Sequence, residues 1–256
     1  MRLLLVATAL IASSGWASGT EDEMWEKAKR EAAAFQKRTG VAMEWLEGDP
    51  SQVQQLSREI RAWAPIALDL DASLPALIAE LSIYPDGFFR AAGFKRVVLT
   101  RGLERDGKAW GGFAFWGGKF QGTLFVGLRS VRHAAVTIHH EVFHLAQQLP
   151  SVRAREGEWR ACNPGGFRYY GEGPVDRSAP RVATITDYAR TNLIEDQAEV
   201  FAWLVADAAF VDRQAEQDEG IACKVKLTRQ FARQVDSAFD DARWNRLRSR
   251  TAGEPY

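Results

Sequence analysis

The sequence predicts an α+β fold, predominantly helical, with a small antiparallel sheet immediately ahead of a histidine-bearing helix. Three observations predict it. Apolar residues recur at three- and four-residue spacing at both ends of the chain. From Phe94 to about Leu128 short apolar runs separated by glycine-rich turns replace that period. Three of the four histidines then fall together, in Ile138-His139-His140-Glu141-Val142-Phe143-His144-Leu145.

The chain of 256 residues is long enough for one domain or a domain with a small appendage. Hydrophobic residues make up 46%, and 33 basic side chains balance 33 acidic ones. With no basic excess there is no electrostatic footprint for nucleic acid or an anionic membrane. Nothing beyond the N-terminus is apolar for long enough to insert stably in a bilayer. Nine Trp and fourteen Phe promise a large aromatic core.

The first nineteen residues stand apart. Arg2, an apolar run from Leu3 to Ala12 too short for a membrane helix, and the small residues Ser13 to Gly19 read as a signal peptide cleaved near Ala17. The alternative is a buried N-terminal strand or helix. Export to the periplasm or beyond is therefore expected. The two cysteines, Cys162 and Cys223, fit that compartment as a disulfide rather than as free buried thiols. Such a bridge would be worth about 4 kcal/mol at most by loop-closure entropy.

In order along the chain, residues 22–38 predict a helix ending at Gly40, with Trp25, Ala28, Ala32 and Phe35 on one side. Val41 to Leu46 reads as a strand. Asp49 as N-cap with Pro50 behind it predicts a second helix through about Trp63. Asp71 or Ser73 caps a third, which Pro85 stops. Residues 20–93 are thus expected to form a helical region packed on the remainder, 94–256. There, strands are expected at Arg96–Thr100, Gly112–Trp116 and Gly122–Leu128, with a turn at Asp106-Gly107. The last strand is either an ordinary sheet edge or an open one, to which an extended peptide could add.

Ser130 is the expected N-cap of a helix running through Gln148, with Val136, His140, Phe143 or His144, and Gln147 along one face. An irregular stretch from Ser151 to Thr186 follows, long enough to be either functional or disordered. Helix is expected again from near Arg190 to Phe210 and from Cys223 to Arg248. In the last, Leu227, Phe231, Val235 and Phe239 form a packing stripe.

His140-Glu141-x-x-His144 puts two imidazoles on one helical face, within reach of a single metal ion, with a carboxylate beside them. His139 points about 100° away from His140, and His133 is two turns distant, so a third ligand must be a carboxylate. Downstream, Tyr188-x-Arg190-Thr191-Asn192-x-x-Glu195-x-x-Ala198-Glu199-x-Phe201 holds two glutamates on one helical face.

Two His and one Glu from a second helix resemble the gluzincins, the thermolysin-like zinc peptidases. The downstream segment is similar to that of the anthrax toxin lethal factor catalytic domain and related bacterial zinc peptidases. The resemblance covers these two segments alone. It implies a zincin-like catalytic domain over 94–256 and one Zn2+ ion bound by His140, His144 and Glu195. It further implies Glu141 as general base, Tyr188 as hydrogen-bond donor to the oxyanion, and a peptide or protein substrate. Glu199 either accepts the distal N–H of His140 or His144, or is simply exposed. Asp196 points off the Glu195 face and reads as a structural acceptor. The alternatives to a metalloendopeptidase are a secreted zinc-binding protein without catalysis and a zinc hydrolase of non-peptide bonds, as in cell-wall material.

Overall fold

The computed structural model describes residues 20–131, 135–174, 178 and 180–249. The expected signal peptide and His133 lie outside the described residues. The elements run α1 (Glu21–Thr39), β1 (Ala42–Trp45), β2 (Val53–Gln55), β3 (Ile60–Trp63), α2 (Ala67–Leu81), α3 (Asp86–Ala91), β4 (Arg96–Thr100), β5 (Gly102–Arg105), β6 (Lys108–Trp110), β7 (Gly112–Phe115) and β8 (Thr123–Gly127). The helical half continues with α4 (Leu128–Val131), α5 (Ala135–Ala146), α6 (Pro150–Arg153), α7 (Glu156–Ala161), α8 (Leu193–Ala206), α9 (Ala208–Gln217), α10 (Glu219–Val235) and α11 (Asp241–Arg248). The fold is α+β and mostly helical, as the sequence predicts.

The first helix illustrates how local chemistry sets its ends. Thr20 and Glu23 form a reciprocal capping box, three acidic residues fill the first turn, and Gly40 closes the helix at φ 75°. At the predicted turn, Asp106 and Gly107 take φ 50° and 75°, the left-handed pair a tight hairpin needs, and join antiparallel β5 and β6.

The strands form two sheets, ordered β1-β4-β8-β7 and β2-β3-β5-β6. The second is antiparallel throughout. In the first, β1, β4 and β8 run parallel, and β7 joins β8 antiparallel at the edge. The exposed edge beside α5 is therefore that of β7. The last strand, β8, is interior.

The expected helix from Asp49 to Trp63 is instead the hairpin of β2 and β3. Asp49 caps only a turn, its carboxylate accepting from the backbone N–H (2.8 Å) and hydroxyl (2.7 Å) of Ser51. Ser57 does likewise for Glu59 and Ile60. Ile60 and Ala62 then alternate inward with period two, which a helix cannot satisfy. The third helix starts earlier than expected, at Ala67, and runs through Pro75. The two C-terminal helices are each broken, at Asp207 and Asp236.

The main core lies where α2, α3, α5, α8 and α10 meet, and its centre is aromatic. Phe143 stacks on Phe201 at 4.5 Å, and Tyr84, Phe88 and Phe239 close around them. A smaller cluster of Leu56, Ile60, Ala62, Val98, Leu103, Phe113 and Phe125 joins the two sheets.

One polar hub sits inside the helical core. Lys224 and Asp196 are both fully buried, with Nζ 2.6 Å from the carboxylate. The same oxygen accepts from Trp159 Nε1 (2.9 Å) and the Tyr169 hydroxyl (2.7 Å), while Lys224 also donates to Ala183 O (2.6 Å). Burial pushes the Lys224 amine below its usual range and Asp196 above its own, and their mutual contact opposes both shifts. The disulfide between Cys162 and Cys223, 61 residues apart, ties the end of α7 to α10 beside this hub.

Removing one member of a buried pair strands the other. Lys224→Met is expected to cost about 3–5 kcal/mol in urea unfolding. The double variant Lys224→Met/Asp196→Asn should recover most of it, and equal losses in both would show the pair to be uncoupled.

Candidate metal centre

The site is built from α5 and α8, packed through Phe143 and Phe201. His140, Glu141 and His144 occupy one buried face of α5, the three-residue cluster whose donor atoms lie close enough for one metal ion. On α8, Asn192 is the N-cap and accepts from the backbone N–H of Glu195 (3.0 Å), which fixes Glu195 in the first turn.

Glu195 reaches across to both imidazoles. Its Oε2 lies 2.9 Å from His140 Nε2 and 3.4 Å from His144 Nε2. The two rings are nearly perpendicular, at 87°, with centroids 4.6 Å apart. Ligands about 2.1 Å from a tetrahedral zinc are separated by about 3.4 Å, so this spacing matches a shared cation.

Each imidazole is held from behind. Nδ1 of His140 lies 2.9 Å from Oε1 of Glu199, whose other oxygen accepts from the Thr186 hydroxyl at 2.6 Å. Nδ1 of His144 lies 2.8 Å from Oε1 of Gln147, whose amide donates to Ile194 O (2.7 Å) and Gln197 Oε1 (3.0 Å). With each Nδ1 committed as a donor, both Nε2 lone pairs face the Glu195 oxygen. Three acceptors can crowd one point only around positive charge, either a proton or a metal ion. The donor set of two imidazoles and a carboxylate therefore fits zinc.

The titration behaviour points the same way. Burial works against a charged His140, but bonds to Glu195 and Glu199 and the nearby Glu141 outweigh it and raise its pKa to about 10. Burial likewise opposes ionisation of Glu195, yet His140 and His144 hold its carboxyl at about 2. The groove concentrates carboxylate charge around the two imidazoles.

Glu141 is buried beside the pair, and Oε2 accepts from the backbone N–H of Ala114 in β7 at 2.8 Å. Burial raises its pKa, against the pull of His144 and His140. The approach of β7 is close at Gly112, where a Cβ would meet Glu141 Cγ at 3.1 Å and Phe125 O at 3.3 Å and press on both. Tyr188, in a 3-10 turn just before α8, has its ring 5.7 Å from that of His140 and hydrogen-bonds Glu195. Burial, and then the surrounding carboxylates, push its hydroxyl pKa up. At 42% exposure it still faces the opening.

His139 turns away, as its helical position requires, and sits buried between Tyr84 (2.9 Å) and Glu80 (2.9 Å). Asp196 also lies off the site, in the Lys224 hub. Sequence reasoning noted Gln147 only as sharing the histidine face and missed its contact, together with Thr186, the Ala114 amide and Trp116, whose ring lies 5.7 Å from that of His144. For Gln147 a signal existed: position i+3 from His144 is within reach on one helix.

Clefts of about 290 Å³ and 280 Å³ open on the two sides of Glu141 and Tyr188. One is floored by His140 and Glu199, the other by His144 and Glu195. Trp110 of β6 lines both.

Among solved structures, the chain is similar to the crystal structure of a putative zinc-binding metallo-peptidase from Bacteroides caccae. The TM-score is 0.50 and the sequence identity 17%, over 94% of this chain and 98% of that one. The two proteins share a fold over nearly their whole lengths. No protein-family profile matches the sequence, and no curated protein sequence matches it.

Gln147→Leu takes from buried His144 Nδ1 its acceptor and from Gln197 Oε1 a donor. A loss of about 1–3 kcal/mol is expected in urea unfolding, and an unchanged midpoint would show the contact to be dispensable.

Proposed function

We propose that the chain is an exported zinc-dependent metallopeptidase that hydrolyses peptide bonds, with one zinc held by His140, His144 and Glu195. The observation that carries this reading is the convergence of His140 Nε2, His144 Nε2 and Glu195 Oε2 on one point, each imidazole anchored from behind. A structural zinc site has no need for Glu141 poised beside that point, nor for a tyrosine at its mouth. The motif resemblance to gluzincins, and to the lethal factor catalytic domain in particular, supports the same reading. The apolar N-terminal stretch and the Cys162–Cys223 disulfide support export, since disulfides persist in oxidising compartments.

Zinc bound here supplies a Lewis acid and a water of lowered pKa. The rest is done by the chain. Glu141 accepts a proton on its carboxylate and returns it to the leaving amine, and burial, by raising its pKa, suits it to both transfers. Tyr188 is protonated at neutral pH, as a phenol is, and the upward push on its pKa keeps it so, leaving its hydroxyl to donate to the developing oxyanion. Glu199 and Gln147 fix the tautomer and ring plane of the two ligand histidines.

The edge of β7 offers backbone groups to an extended peptide. Gly111 and Phe115 carbonyls accept from Gly127 and Gly122 (2.9 and 2.7 Å), so the alternate positions 112 and 114 face the cleft, where the Ala114 N–H is already given to Glu141.

Glu141→Gln should keep zinc by elemental analysis while losing peptide hydrolysis, and full activity in that variant would overturn the mechanism. Glu195→Ala should emerge without stoichiometric zinc. Glu199→Ala should bind it about 10–100-fold more weakly, and a greater loss for Glu199→Ala than for Glu195→Ala would reverse the ligand assignment.

A further inference from the structure

Next to the candidate metal centre, sharing Ala109 and Trp110 with one of its clefts, lies a pocket of about 520 Å³. Its volume is in the range of sites that bind small ligands. Trp63, Leu103 and Trp110 supply its apolar walls, and Arg101 and Arg129 its charge. Ala109 and Trp110 line both this pocket and the cleft beside His140 and Glu141, so the two spaces share one wall.

The two arginines are underused. Both face a single carboxylate, Asp69, through Nε at 3.4 Å (Arg101) and 3.6 Å (Arg129). Asp69 is also engaged elsewhere, accepting from the backbone N–H of Ile66 at the start of α2. Arg101 Nε is buried and makes no hydrogen bond. Glu104 also lines the pocket, but its carboxylate pairs with Arg61 at 3.7 Å. Two guanidiniums set against one shared carboxylate leave a net positive charge in an aromatic-walled space. The neighbouring cleft, by contrast, is lined by Glu141 and Glu199.

We infer that this pocket is a specificity subsite for a carboxylate, carried on a peptide beside an apolar or aromatic side chain. This rests on the peptidase reading above. Guanidinium groups bind carboxylates through charge-assisted and often bidentate hydrogen bonds, and the tryptophan faces cover the adjoining apolar surface. The charge pattern fixes the register as well. A carboxylate is repelled from the glutamate-lined cleft and held at the arginines, so it lies to one side of the scissile bond. The carboxylate can belong to an acidic side chain or to the chain terminus.

The test uses zinc-loaded Glu141→Gln protein, so that binding is read without turnover, and three peptides of matched apolar sequence. One carries an internal Glu and an amidated end, one a neutral sequence with a free C-terminus, and one is neutral and amidated. Titration by tryptophan fluorescence should give at least about ten-fold tighter binding for one carboxylate peptide than for the neutral amide. Which peptide gains tells side chain from terminus. Arg129→Gln, at a largely exposed position, should abolish that preference while leaving the affinity for the neutral amide unchanged. Equal affinity for all three peptides, or a preference that survives both Arg129→Gln and Arg101→Gln, overturns the subsite. Hydrolysis of the peptides by the wild-type protein is scored separately. Its absence counts against the peptidase reading, and the binding preference still decides the pocket.

Discussion

The packing of α5 against α8 is the constraint on which the rest of the molecule depends. Phe143 stacked on Phe201 fixes the register of two helices separated by about fifty residues of chain, most of it irregular. Residues one position apart on a helix point about 100° apart. A single-residue slip of either helix would therefore take Glu195 out of reach of both imidazoles, and Glu199 away from His140. The aromatic core and the candidate metal centre are two faces of one contact. Interiors packed to crystal density do not drift between registers, which is why the polar side chains at its rim can be held to hydrogen-bonding precision.

The same geometry separates two populations of charge along α8. Glu195 and Glu199 face α5 and the histidines, while Asp196, one residue round the helix, faces α10. Lys224 neutralises Asp196 at 2.6 Å in a fully buried setting, so its charge adds little to the field at the site. Glu141, Glu195 and Glu199 are left to act together on the imidazoles. The result is a candidate cation site built from local excess charge in a chain whose overall charges balance. Trp159 and Tyr169, both bonded to Asp196, anchor α7 and the segment after it to α8, and the Cys162–Cys223 bridge ties the end of α7 to α10. The irregular stretch is thereby ordered in part around the back of the site.

Much of this was legible in the sequence because it is local. Capping signals at Thr20 and Gly40, the Asp106-Gly107 turn, and the four-residue spacings of His140 with His144 and Glu195 with Glu199 depend on a few neighbouring residues. The errors came where two local signals competed. Asp49-Pro50 reads as a helix start, yet Asx and Ser turns at Asp49 and Ser57, with alternating Ile60 and Ala62, favour a hairpin. Asp207 and Asp236 break helices that apolar spacing alone would continue. Non-local pairing was invisible altogether. Nothing in β1, β4 and β8 announces that they run parallel, or that β7 rather than β8 takes the edge. Gln147 and Thr186 acquire meaning only once α8 supplies the groups they touch.

That edge gives β7 two duties. Its Ala114 amide holds Glu141 at 2.8 Å, and its outward backbone is the surface an extended peptide would meet. On the proposed reading, the general base and the substrate are thus referenced to one strand. Reaction geometry tolerates little error, because misplacement of reacting groups by about 1 Å can cost about a hundred-fold in rate. A strand braced by β8 on one side and packed on α5 below is stiffer than a loop. Gly112, where a Cβ would press on Glu141 and on Phe125 O, marks where that strand comes closest to the base. The close approach of β7 to α5 couples where a peptide would lie to where its proton would go.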